Sequence, residues 1–160
     1  YMKVRIVCIG KLKEKYWTAA VAEYSKRISG YANIEIIELK ESKLPANPSP
    51  ADEASVLVRE GENILGKIKD NDYVIVMEVE GKQLDSVELS RKIQSTFDTK
   101  ASTIDFIIGG SLGLSDDVKK RADYGLSFSK LTFPHQMARV MLLEQIYRAF
   151  KISNGETYHK

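Results

Sequence analysis

The chain has 160 residues, a length that fits one domain and is large enough to bury a hydrophobic core. Its composition, 43% hydrophobic and 29% charged, is that of an ordinary globular protein and gives no support for disorder, collagen-like repeats or a membrane span. The net charge of +2 is too small to indicate nucleic-acid binding by itself, so the distribution of charge matters more than its total.

The first residues and the single cysteine bear on location. Tyr1 stands before Met2, and we expect it to be an added residue; no signal-peptide pattern follows. Cys8 is the one cysteine, so an internal disulfide and a cysteine-based zinc site are excluded. We therefore expect a single domain over residues 1–160 in a reducing cytoplasm.

The first part of the chain predicts two strands with a helix between them. Residues 3–9 are rich in β-branched side chains and end at Gly10, and residues 34–39 have the same character. The intervening helix should end near Gly30. Its apolar stripe has spacings of four, three and four, formed by Trp17, Val21, Tyr24 and Ile28.

A polar loop that contains Pro45, Pro48 and Pro50 follows, and we expect it to be the most mobile segment. The acidic residues Asp52 and Glu53 should begin the next helix, because carboxylates are favoured in a first turn. Residues 73–79 then form a nearly unbroken apolar run, which is typical of a strand covered on both faces.

The alternation continues toward the C-terminus. Ser86 is positioned to cap a helix, and the next strand, 104–108, ends at the dipeptide Gly109-Gly110. Strands that alternate with helices in this way predict an α/β protein with a mostly parallel sheet covered by helices on both sides.

The last third has a different pattern. Ser115 should cap a short helix, residues 126–128 predict a brief strand, and Pro134 fits the first position of a long helix. The apolar positions of that helix are Met137, Val140, Met141, Ile146, Tyr147 and Phe150. They cover more than one narrow stripe, so we expect the helix to pack both on the sheet and on a partner subunit.

Three loops should meet at one edge of the sheet, where ligands bind in open parallel sheets. They are 77–82, 109–114 and 128–134. The glycines of the second loop would let its backbone approach a ligand closely, although an ordinary turn explains Gly109-Gly110 equally well. The loop is neither a P-loop nor a dinucleotide-binding fingerprint.

Polar residues near the long helix are candidates for chemistry. His135 follows Pro134 in the first turn, where it could bind a ligand or take a proton; a cap or a core group is the alternative. Arg139 lies on the same helical face and suits a phosphate or carboxylate, or a place on the surface or a subunit interface. The pair Glu144 and Arg148 is interpreted as a structural ion pair.

The chain ends with Tyr158, His159 and Lys160, an aromatic ring, an imidazole and a cation. Stacking and positive charge are how proteins hold unpaired bases and backbone phosphates. Chain ends usually fray, however, and composition alone favours a frayed tail here.

Four segments together resemble the RlmH family of ribosomal RNA large-subunit methyltransferases. They are GKLKEKYW (10–17), IIGGSLGLS (107–115), LSFSKLTFPHQMARVMLLEQIYRAFKI (126–152) and the terminal YHK. The resemblance covers essentially the whole chain. It implies the SPOUT class, with a five-stranded α/β core, a deep C-terminal trefoil knot, a homodimer and a cofactor bound in the knot.

The implied activity is transfer of a methyl group from S-adenosylmethionine to N3 of a pseudouridine in 23S ribosomal RNA, on assembled ribosomes and without a metal. Carried over by position, the cofactor would be lined by Met77, Glu78, Gly109, Gly110, Phe128, Ser129, Lys130, Leu131, Thr132, Phe133 and Pro134. Tyr158, His159 and His135 would face the substrate base, with His159 the first candidate for proton acceptor and His135 the second.

Charge alone nominates Arg139, Arg148 and Lys160 as contacts for RNA phosphates. Two other interpretations remain open from the sequence. A ribosome-associated binding protein could keep the cofactor pocket without transferring a methyl group, and a dimerisation module would bind no cofactor at all.

Overall fold

The computed structural model of the chain describes residues 1–158. Within that range, strands and helices alternate without exception. The strands are β1 (Lys3–Ile9), β2 (Asn33–Leu39), β3 (Tyr73–Gln83), β4 (Thr103–Ile108) and β5 (Tyr124–Ser127). The helices are α1 (Lys15–Ile28), α2 (Pro50–Leu65), α3 (Ser86–Thr99), α4 (Asp116–Arg121) and α5 (His135–Ser153). No helix in this part of the chain is long and apolar enough to cross a membrane.

The five strands form one sheet in the order β2-β1-β4-β3-β5, and every neighbouring pair is parallel. Lys3 is in register with both Asn33 of β2 and Thr103 of β4, so β1 lies inside the sheet. The predicted α/β class and parallel sheet are confirmed. Because all the strands run the same way, the loops at their carboxyl ends gather at one edge.

Helices cover both faces of the sheet, and the alternation of side chains along β1 explains why. Val4 and Ile6 point into a core that also contains buried residues of α1, α3 and α5. Val7 and Ile9 belong to a smaller core that also contains Ile64 of α2 and Val118 of α4. A strand that is apolar on both sides can pack against helices on both.

Two helices begin differently from the sequence prediction. Ser49 caps α2 by accepting the backbone N–H of Asp52, so the helix starts at Pro50 rather than at the acidic pair. Asp85, not Ser86, caps α3. The Ser86 hydroxyl instead donates to the Gln145 side chain of α5 at 2.8 Å, a contact between helices that local sequence could not reveal.

Strand β3 extends to Gln83, four residues beyond the predicted end. Its pairing with β5 shifts between Met77 and Lys82, both of which lie opposite Leu126. The intervening residues therefore bulge from the ladder. A Cβ on Gly81 would lie 2.7 Å from the carbonyl carbon of Gly125, so the close approach of the two strands there requires glycine.

Helix α5 packs against α1 and α3 on one face of the sheet. Ile146, Tyr147 and Phe150 are buried there, in agreement with the predicted packing of the helix on the sheet. By contrast, Met137 is 38% exposed, and Val140 and Met141 are only partly buried. The chain thus covers one side of the helix and leaves an apolar strip of the other side at the surface.

A buried charge cluster lies near the amino ends of β1 and β4. The Arg5 guanidinium contacts Asp72 at 3.3 Å and Asp105 at 3.1 Å, and all three side chains are buried. Burial, the largest cause, and the neighbouring Asp72 together raise the pKa of Asp105 from its ordinary 3.8 to about 8, against the opposing effect of Arg5. We therefore expect Asp105 to carry a proton at neutral pH.

If Asp105 carries this proton, the difference in stability between wild type and Asp105→Asn should depend on pH. The wild-type carboxyl keeps its proton in the folded protein up to about pH 8, whereas in the unfolded chain it loses the proton above about pH 4. Its contribution to the free energy of unfolding is therefore complete below about pH 4 and is lost as the pH rises to about 8. The amide cannot ionise. In urea unfolding, the free energy of unfolding of the variant should rise relative to that of wild type by about 1.4 kcal/mol per pH unit between about pH 4 and pH 8.

Above about pH 8 the difference between the two proteins should level off. Asp70→Asn, at an exposed position, controls for the loss of one carboxyl group. A difference between wild type and Asp105→Asn that stays constant from pH 5 to pH 8 would contradict the assignment.

Candidate functional site

A pocket lies at the carboxyl edge of the sheet, between the bulged part of β3, the loops that follow β4 and β5, and the first turn of α5. Its volume is about 300 Å³, at the lower end of small-molecule sites. Nine of the eleven predicted cofactor residues line it: Met77, Glu78, Gly109, Gly110, Phe128, Ser129, Leu131, Thr132 and Phe133. Lys130 and Pro134 are not among the lining residues.

Three further lining residues, Ser111, Gly113 and Leu114, lie in the predicted ligand loop 109–114 although they were not assigned to the cofactor. Sequence reasoning missed others, which include Ile108, Lys119, Leu126 and Ala138. The signal for Gly113 and Leu114 was present in the GGSLGL motif. Lys119 had none, because a lysine in a short polar helix is ordinary. Lys119 brings a cation to the pocket. Among the lining residues, Glu78 supplies the one carboxylate.

The loop after β4 forms a tight turn at the pocket. The Gly113 N–H donates to the Gly110 carbonyl at 3.0 Å, and Gly113 has a φ of +83°, which favours glycine. A Cβ on Gly109 would lie 2.5 Å from the carbonyl oxygen of Gly113. The need for glycine at 109 therefore comes from the loop itself, which packs backbone against backbone.

Glu78 lies on the bulge of β3 and is half-buried. Its Oε1 atom occupies the space that a Cβ on Gly125 would need, only 2.5 Å away. Gly125 thus makes room for the carboxylate between β3 and β5. The bulge and this glycine together explain how a residue of an inner strand reaches the pocket.

The 128–134 segment forms one wall of the pocket. The Ser127 hydroxyl donates to the Ser129 carbonyl, and the Ser129 hydroxyl accepts the Leu131 N–H. A second hollow, between the segment, α3 and α5, has a volume of about 690 Å³. Phe128 and Phe133 line both, so the segment separates two open spaces.

His135 is the first helical residue of α5, because Pro134 is the N-cap rather than the first position. The imidazole is exposed and lines the pocket. No side-chain capping bond is made at this helix start. The described residues therefore support neither the core nor the capping interpretation, and the side chain is accessible to a ligand.

Arg139 lies elsewhere than its predicted role requires. It is 2% exposed, and its guanidinium donates to Glu38 Oε2 at 2.6 Å and to the Gly10 carbonyl at 3.1 Å. The expected contact with RNA phosphates needs an accessible guanidinium. Since this one is held inside the protein by a residue 101 positions away, Arg139 has an internal structural role here.

Tyr158 packs back onto α5, so the chain is ordered against the helix to this point. Its hydroxyl donates to Glu144 at 3.1 Å, and its ring lies 4.9 Å from that of Tyr147 and 4.8 Å from the Arg148 guanidinium. Arg148 also forms the predicted ion pair with Glu144 at 2.8 Å. These contacts lie beside the second hollow, which Glu144 lines, and not in the pocket with His135.

His159 and Lys160 lie outside the described residues. Within residues 1–158, no group of three or more histidine, cysteine or acidic side chains is arranged to hold a metal ion.

Comparison with known proteins identifies similar methyltransferases. A family model described as "Predicted SPOUT methyltransferase" matches residues 2–159. A Clostridium botulinum protein named "Ribosomal RNA large subunit methyltransferase H" is 55% identical over 159 residues, which is 99% of this chain and 100% of that protein. A protein of the same name from Clostridioides difficile is 53% identical over the same shares.

A solved structure of a probable methylase family protein from Haemophilus influenzae has a TM-score of 0.54 at 14% identity. The match covers 98% of this chain and 70% of the other, and it bears on the fold alone. The family match and the full-length identities, together with the parallel sheet and its pocket, establish that the chain belongs to the SPOUT methyltransferases and, among them, to the RlmH family.

Proposed function

We propose that this protein transfers a methyl group from S-adenosylmethionine to N3 of a pseudouridine in large-subunit ribosomal RNA, in the cytoplasm and on assembled ribosomes. The observation that carries the proposal is the pocket at the carboxyl ends of β3, β4 and β5, lined by nine of the residues that the family likeness assigns to the cofactor. Relatives named as ribosomal RNA methyltransferases support the choice of RNA substrate.

The lining residues fit this cofactor chemically. Buried glycine backbone at 109 and 110 and the apolar walls suit a flat adenosine moiety. Glu78 and Lys119 supply one carboxylate and one ammonium, which match the opposite charges of a methionine end. S-adenosylmethionine supplies a methyl group on a sulfonium, a carbon already activated for displacement. The protein therefore has to position the reacting atoms rather than provide a metal.

The target nitrogen sets a second requirement. The N3–H of pseudouridine is a poor nucleophile until its proton leaves, so a nearby imidazole would serve as proton acceptor. We assign this role to His159 first and to His135 second. Tyr158, which lies by the second hollow, would face the base from that side. His135 is exposed at the pocket, which supports access to a substrate. Arg148 and Lys160 remain proposed contacts for RNA phosphates, and Arg139 is no longer one of them.

We further propose a homodimer whose C-terminal region is knotted, as the family implies. Met137, Val140 and Met141 form an apolar strip of α5 that the chain covers only in part, which supports a partner on that side. We expect substrate recognition to depend on the dimer and on the shape of the ribosome.

The test is methyl transfer from labelled S-adenosylmethionine to large ribosomal subunits and to protein-free ribosomal RNA, with the modified nucleotide mapped by mass spectrometry. We expect one N3-methylated pseudouridine per subunit and little transfer to free RNA. Cofactor binding without transfer would favour the noncatalytic binding protein, and no cofactor binding would favour the dimerisation module. Efficient methylation of free RNA would contradict recognition by ribosome shape.

A further inference from the structure

We infer that the 10–15 loop, which is the connection between β1 and α1 together with the first residue of α1, binds backbone phosphates of the RNA substrate through Lys11, Lys13 and Lys15. This inference rests on the proposed function and assigns it a contact surface. The loop follows a strand at the carboxyl edge of the sheet, the same edge that holds the pocket. All three lysine side chains are exposed.

Backbone contacts hold this loop in one conformation. Gly10 has a φ of +93°, and its N–H donates to the Leu39 carbonyl at 2.7 Å. The Leu12 N–H donates to Glu38 at 3.3 Å, and the Leu12 side chain packs against the main core. The loop is thus fixed through Gly10 and Leu12, and within residues 1–158 its lysine side chains form no hydrogen bond that would hold it.

Arg139 joins the loop to the first turns of α5. Its guanidinium bridges Glu38 and the Gly10 carbonyl, and its Nε atom has no partner among the described residues. An ion pair with a buried arginine adds little net stability, because desolvation offsets the attraction. Its use here is geometric, since it fixes the loop beside the helix that presents His135 to the pocket.

The local charge favours an anion. Lys11, Lys13 and Lys15 form no ion pair within residues 1–158, and Arg139 already neutralises Glu38. The exposed lysines of the 10–15 loop and the neighbouring 40–48 loop outnumber the acids Glu14 and Glu41 by five to two; they are Lys11, Lys13, Lys15, Lys40 and Lys43. Exposed, unpaired ammonium groups on a fixed loop suit phosphate, whose contacts carry most of the salt-dependent affinity of RNA-binding proteins.

The experiment compares the binding of the full chain to large ribosomal subunits at 50 to about 200 mM salt, the range in which phosphate contacts dominate. The test variant is K11E/K13E/K15E, with K11Q/K13Q/K15Q as a milder second variant. The matched control is K26E/K67E/K69E, three exposed lysines away from this edge. S-adenosylmethionine affinity, measured separately, reports whether each variant keeps its fold and pocket.

We expect the glutamate variant to bind subunits at least about tenfold more weakly, and the slope of log affinity against log salt to fall by about 2 for three lost contacts. The glutamine variant should show a smaller change in the same direction. Cofactor affinity should stay at the wild-type value.

Wild-type affinity and slope in the glutamate and glutamine variants would overturn the inference. So would a loss of affinity without a change of slope, which would indicate a contact other than phosphate, or an equal loss in the control. Because the readout is binding, a wild-type protein that binds subunits but transfers no methyl group would overturn the proposed function alone.

Discussion

Gly109→Ala is expected to weaken S-adenosylmethionine binding by about 100-fold, which is about 2.7 kcal/mol and within the usual cost of forcing an extra carbon into a packed site. The added Cβ would lie 2.5 Å from the Gly113 carbonyl oxygen and 2.8 Å from its carbon, both backbone atoms of the same turn. Neither can move aside without opening the turn. Since this turn borders the pocket, its displacement changes the cofactor site directly.

Isothermal titration with S-adenosylmethionine measures the loss, and urea unfolding should show destabilisation of about 1–3 kcal/mol from the same crowding. The control is Gly30→Ala, where the new Cβ would meet an ordinary 3.7 Å contact at an exposed position. A Gly109→Ala protein that binds the cofactor like wild type would show that the turn is not part of the site.

His159→Ala is expected to slow single-turnover methylation of ribosomes by about 10²- to 10⁴-fold, the usual contribution of a general base. The imide proton must leave N3 before or during methyl transfer, and His159 is the first candidate to accept it. The preceding residue, Tyr158, is held on α5 by Glu144 and Tyr147.

His135→Ala is the comparison variant, and both should be measured with saturating cofactor so that the chemical step alone is seen. A His159 variant as fast as wild type would remove this residue from the mechanism. If only His135→Ala were slow, the proton acceptor would be the imidazole at the pocket instead. Cofactor affinity measured for both variants separates a loss of chemistry from a loss of binding.

Periodic patterns predicted the elements well because each is set locally. Strand β1 has the predicted bounds, and the turn at Gly109 falls where the dipeptide indicated. The bulge of β3 was not predictable, since it depends on Leu126 pairing with both Met77 and Lys82. The Asp85 cap was missed because a neighbouring serine suits the same position equally well.

The site was predicted to the level of loops and not of individual polar groups. Topology places the ends of parallel strands together, so the residues after β3, β4 and β5 could be expected to form one pocket. The burial of Arg139 could not be predicted, because its partner Glu38 is distant in sequence and an arginine on an amphipathic helix is normally exposed. Lys119 likewise enters the pocket through the packing of α4 alone.

The order of strands in the sheet also governs how the chain can fold. Strand β1 is synthesised first, yet one of its two neighbours is β4, and the contact between Arg5 and Asp105 spans 100 residues. Parallel pairing over such separations closes long loops before any contact compensates for the lost entropy. Folding should therefore be slow for a domain of this size. Strand β1 gains its second neighbour only after most of the chain has been synthesised, because β4 begins at Thr103.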